Sequence, residues 1–166
     1  MWSILSRKES TKQKGNKMGK TIVFIQLQLT MVLFSSFHIK EETTYPLTVA
    51  VKDLRNSNGV VQFALYNNSN SFPDEHYEKY FRKLTAKIIN GTSEITFGNL
   101  PPGKYAVNIL HDEDEDGKIK KGIILPKEGI GFSNYQSIGL TNRPAFKKAS
   151  FNLSGNKKID VKIIYL

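Results

Sequence analysis

Five consecutive acids, Asp112 to Asp116, stand directly before Gly117. Alternate acids in a tight loop bring several carboxylates to one point, and calcium collects six to eight such oxygens. The EF-hand loop places acids at positions 1, 3 and 5, glycine at 6, a backbone carbonyl at 7 and a two-oxygen glutamate at 12. Asp112, Asp114, Asp116 and Gly117 fill the first four, and Lys118 can supply the carbonyl. Position 12 is Ile123 and position 9 is Lys120, so a ligand is missing, and Glu128 is the nearest candidate to replace it. The predicted metal set is therefore Asp112, Asp114, Asp116, Lys118 and Glu128, with calcium as the ion. The plainer alternative is a solvated acidic loop. Either way Glu113 and Glu115 are expected to point outward. Five adjacent carboxylates repel one another, and a cation relieves that repulsion.

The flanking pattern predicts strands. Leu47, Val49 and Val51 alternate with Thr48, Ala50 and Lys52, and Val61, Phe63 and Leu65 alternate again after the turn residues 56–59. These two segments are expected to form an opening hairpin. Phe72-Pro73-Asp74 reads as a helix entry with Asp74 as N-cap, followed by Tyr77, Tyr80, Phe81 and Leu84 at helical spacing. Shorter strands follow at Ala86–Ile89 and Glu94–Phe97, with a turn at Asn90-Gly91 between them. A rigid Leu100-Pro101-Pro102-Gly103 turn then starts a long strand from Lys104 to His111. That strand delivers the chain into the acidic loop. Further strands are expected at Ala145–Leu153 and Ile159–Leu166. About seven short strands with regular turns and one short helix predict an all-β fold, an antiparallel β-sandwich of the immunoglobulin or prealbumin kind.

Beyond the loop lies a glycine-aromatic segment, 129–135. Phe132, Asn134 and Tyr135 would make a carbohydrate- or peptide-binding platform if the rings were displayed. Gly129 and Gly131 instead favour close backbone packing, which predicts a buried Phe132. A hydrolase built on Asp116 and Glu128 would need one carboxyl with a raised pKa and one ordinary one. The acidic run gives no reason for such a split, so no catalytic residue is assigned and the chain is read as non-catalytic.

Composition narrows the classes. The formal charge is +9, but residues 1–37 carry +5 of it. The basic residues beyond are scattered, and the one dense cluster is acidic, so nucleic acid is not expected as a partner. There is no cysteine, which excludes disulfides and thiolate chemistry. A basic start followed by apolar Thr21–Phe37 reads as a secretory signal over 1–37, with Met18 an alternative start. Residues 38–46 then form a linker and 47–166 the folded domain. The expected location is secreted, periplasmic or envelope-associated, with no stable membrane span after cleavage. The expected partner is another envelope protein or a glycan.

Three segments together resemble a known family. They are Leu100-Pro101-Pro102-Gly103-Lys104-Tyr105-Ala106-Val107, His111-Asp112 through Gly117-Lys118, and Pro126-Lys127-Glu128-Gly129 with Gly131-Phe132-Ser133-Asn134. With the later Phe146 and Ala149-Ser150-Phe151, they are similar to the bacterial domain of unknown function 2141 family over roughly Leu47 to Leu166. The resemblance implies a secreted or periplasmic all-β domain without an established activity. It also implies Asp or Asn at the loop's alternate positions, which Asp112, Asp114 and Asp116 satisfy. An Asp is common in the family where this chain has Lys120.

Overall fold

The computed structural model describes residues 42–119 and 127–166. The expected signal segment, the first part of the linker, and Lys120, Ile123, Ile124 and Leu125 of the loop region lie outside them. Among the described residues there are nine strands. They are β1 (Tyr45–Val51), β2 (Val60–Tyr66), β3 (Arg82–Lys87), β4 (Ser93–Leu100), β5 (Gly103–Asp112), β6 (Gly129–Phe132), β7 (Phe151–Leu153), β8 (Lys157–Asp160) and β9 (Ile163–Ile164). One short helix, α1 (Phe146–Ala149), precedes β7.

The strands form two sheets. The smaller runs β4-β1-β8, and the larger runs β3-β2-β5-β6-β9 with β7 added beside the start of β5. Every named pairing is antiparallel except that of β1 with β8. The expected β-sandwich is what the chain builds. Leu47, Val49 and Val51 of β1 meet Val61, Phe63 and Leu65 of β2 and Tyr105, Val107 and Ile109 of β5 in one apolar core.

The larger sheet is buried on its other face as well. Ala64, Tyr66, Ala106, Leu110, Ile130 and Phe132 pack there under Phe72, Tyr77, Tyr135 and Ala149. A strand covered on both sides reads as a continuous apolar run rather than an alternating one. Val-Val-Gln-Phe-Ala-Leu-Tyr in β2 is such a run, buried from its second residue onward.

Three expectations are corrected. β1 and β2 do not form a hairpin. They lie in different sheets, and the link between them crosses the end of the sandwich. Leu54 is buried there, with its N–H bonded to the Gly91 carbonyl at 3.1 Å.

The second correction concerns residues 74–84, which contain no helix. Asp74 accepts from the amides of His76 (3.2 Å) and Lys79 (2.6 Å), and Tyr77 sits at φ +53°. Side-chain capture of nearby amides competes with the helical ladder. By Phe81 the chain is already joining the sheet, its N–H on the Leu65 carbonyl at 2.7 Å. Tyr77 covers the core as expected, while Tyr80, Phe81 and Leu84 are exposed.

The third is at Ala145–Leu153, which begins as α1 rather than as strand. The Tyr135 hydroxyl accepts from the Ala145 amide at 3.0 Å and donates to the Arg143 carbonyl at 3.1 Å. The final carbonyls of the turn meet the Asn134 amide group. At the C-terminus the chain changes sheets, from β8 beside β1 to β9 beside β6.

Candidate metal centre

β5 ends at Asp112, opposite Val60 of β2. The turn before β2 passes so close that a Cβ on Gly59 would stand 1.9 Å from the Asp112 carbonyl oxygen. Only glycine fits. Asp112 is buried, and its carboxylate accepts the amides of Asp116 (3.1 Å) and Gly117 (2.8 Å). The loop thus closes on the side chain of its own first residue. Asp116 in turn accepts the Lys118 amide at 2.8 Å. Glu115 and Gly117 take positive φ, 59° and 74°, which makes the reversal tight.

This geometry brings Asp112, Asp114 and Asp116 together, with one carboxylate oxygen from each inside 4.8 Å of the others. Asp112 lies at the buried end and the other two face solvent. Burial raises the Asp112 pKa above the ordinary value. The Gly117 and Asp116 amides oppose that shift, and the charges of Asp116 and Asp114 add to it. A divalent cation would supply the missing positive charge and favour all three ionised forms.

Glu128 does not join the three among the described residues. It is 3% exposed and accepts the Glu113 amide at 3.0 Å, which ties the stem of the loop to the start of β6. Lys118 is exposed just after the turn.

Glu113 does not point outward, contrary to expectation. Its carboxylate takes Arg55 Nε on Oε1 at 2.6 Å and Nη2 on Oε2 at 2.9 Å, and Asn56 Nδ2 also donates to Oε1 at 3.1 Å. The Arg55 guanidinium and the other bonds hold Glu113 below the ordinary carboxylate value. Arg55 also donates to the Lys127 carbonyl at 2.9 Å and lies 4.6 Å over the Tyr165 ring.

Tyr165 joins this group to His111, which is fully buried. Its hydroxyl lies 2.7 Å from His111 Nδ1 and accepts the Arg55 amide at 3.2 Å. His111 Nε2 faces the Asn58 carbonyl at 3.1 Å. A carbonyl only accepts, so Nε2 carries a proton and donates to Asn58. Both ring nitrogens thus have a hydrogen-bond partner. Gly129 makes room for this, since a Cβ there would stand 2.3 Å from the Tyr165 ring. Sequence reasoning missed Arg55, His111 and Tyr165 as partners, because residues so distant in the chain share no motif.

The aromatic platform is not displayed. Phe132 is 4% and Tyr135 2% exposed, and their rings pack edge-on at 6.1 Å, with Phe72 5.7 Å from Phe132. Asn134, at φ +62°, donates to the carbonyls of Lys148, Ala149 and Ser150 at 3.1–3.2 Å. Asn134 and Tyr135 thereby tie down the backbone around α1.

A two-sheet β-domain with a carboxylate loop at the end of its longest strand defines the class. The chain belongs to the family described as "Uncharacterized protein conserved in bacteria (DUF2141)", matched over residues 49–162. No curated protein and no solved structure matches it. Among the described residues no helix is long and apolar enough to cross a membrane.

Proposed function

We propose that this protein is an exported, non-catalytic domain of the cell envelope that binds calcium weakly through Asp112, Asp114 and Asp116. The observation that carries the reading is the convergence of these three carboxylates within 4.8 Å, on a loop whose first residue is already fixed. Three aspartates without a glutamate at position 12 suit the weak range of extracellular modules, roughly 10⁻⁴–10⁻³ M. Such a site stays empty in a calcium-poor cytosol and fills outside the cell. Magnesium suits it less, because that ion demands a tighter octahedron and dehydrates reluctantly. Calorimetric titration of the protein with millimolar calcium and magnesium tests the reading, and heat with magnesium alone would refute it.

Export rests on the basic start and the apolar stretch Thr21–Phe37. Mass spectrometry of fractionated cells should find the N-terminus cut between about Ser35 and Glu42. An intact N-terminus on cytoplasmic protein would contradict export.

A further inference from the structure

β3 (Arg82–Lys87) ends one side of the larger sheet, and among the described residues only β2 pairs with it. The opposite edge, β9, holds two residues, whereas β3 holds six. An edge strand of this length presents a row of backbone donors and acceptors to a further strand. Six large apolar residues are exposed among the described residues, and four of them, Tyr80, Phe81, Leu84 and Ile89, lie in or beside β3. Residues 79–93 carry four basic side chains and no acid.

The register sorts the side chains of β3 onto two faces. Leu84 stands opposite Phe63 and Arg82 opposite Leu65, so both belong to the face turned toward the smaller sheet. Leu84 is nevertheless 40% exposed there. Arg82 donates to the Gly98 and Asn99 carbonyls of β4, the edge strand of that smaller sheet. Lys83 and Lys87 stand opposite Ala64 and Val60, on the other face. A strand added beside β3 therefore meets apolar surface on one face and positive charge on the other.

Lysines on an edge keep like strands apart, because a second β3 would set positive charge against positive charge. That protection does not call for the apolar residues gathered on the same edge. It also leaves the edge open to a strand of opposite charge. We propose that β3 is a docking edge for an extended acidic segment of a partner protein, one in which apolar and acidic residues alternate. Its backbone continues the larger sheet, its apolar residues cover Leu84, and its acids face Lys83 and Lys87. In strand addition the main-chain bonds supply affinity, and the alternate side chains supply selectivity. The calcium loop plays no part in this docking.

The probe is a short synthetic peptide alternating glutamate and valine, with a lysine–valine peptide as its counterpart. Fluorescence anisotropy with the full chain measures binding, and amide hydrogen exchange shows where the peptide lies. Wild type should bind the acidic peptide and not the basic one, with slower exchange in β3. The double variant Lys83→Glu, Lys87→Glu should bind the acidic peptide about tenfold more weakly, since each pair turns from attraction to repulsion. It should also take up the basic peptide, a change of preference that loss of folding cannot produce. If the charge-reversed protein does not fold, Lys83→Gln with Lys87→Gln decides the matter, and a wild-type Kd for the acidic peptide in either variant overturns the proposal. No binding to wild type at millimolar peptide, or binding without slower exchange in β3, also overturns it. Binding to phosphatidylglycerol vesicles but not to the peptide overturns it in favour of a membrane surface.

Discussion

Arg55 and Glu113 face each other as a two-pronged ion pair, Nε to Oε1 at 2.6 Å and Nη2 to Oε2 at 2.9 Å. The pair fastens the acidic loop to the turn before β2, 58 residues earlier in the chain. It makes the second acid of the run part of the scaffold, leaving the alternate aspartates for an ion.

The pair should show itself in acid. The Glu113 pKa is lowered from its ordinary 4.5, chiefly by the Arg55 hydrogen bond. A carboxyl with a lowered folded pKa stabilises the protein above its unfolded value, and that contribution is lost as pH falls through the folded value. Asp112 is raised and acts in the opposite sense, but it is common to wild type and variant. Arg55→Ala should therefore cost about 1 kcal/mol at neutral pH. The difference should shrink below pH 4.5. Urea melts of both proteins across pH 3–7 check this, and a difference independent of pH would count against it.

Tyr165→Phe removes the hydroxyl that serves His111 Nδ1 and the Arg55 amide. The ring still fills the space over Gly129, so packing is kept while a buried histidine nitrogen loses its partner. The expected cost is about 1–3 kcal/mol. Chemical denaturation measures it, and an unchanged midpoint would show that water or a rearrangement replaces the bond.

Phe132→Ala leaves a hole between Phe72 and Tyr135. For a fully packed phenylalanine the loss should be about 3–5 kcal/mol. An unchanged melting temperature would instead favour a displayed ring and revive the binding-platform reading.

Much of the scaffold was legible in the sequence, for physical reasons that can be named. Leu47, Val49 and Val51 point one way because strand side chains alternate, and the run into His111 is long because β5 lies at the centre of its sheet. Which strands pair was less legible. The alternation in β1 and β2 fixes the buried face of each but not the neighbour, so an arch between sheets reads like a hairpin. Tyr77, Tyr80, Phe81 and Leu84 keep helical spacing, yet the Asp74 side chain captures the local amides and diverts the chain. Of the centre, Asp112, Asp114 and Asp116 were visible from spacing alone. Glu113 was misjudged because its partner, Arg55, is far away in sequence.

Calcium titration of the full chain, followed by calorimetry and by thermal melting, tests the central claim most directly. Wild type should release or absorb heat at millimolar calcium, with a Kd of roughly 10⁻⁴–10⁻³ M. At about 100 times that Kd it should gain ~2.7 kcal/mol of stability. Asp114→Ala should abolish the gain. Glu115→Gln, altering an exposed residue outside the three aspartates, should keep it. No heat with wild type, or equal behaviour of the two variants, would contradict the account and leave a solvated acidic loop.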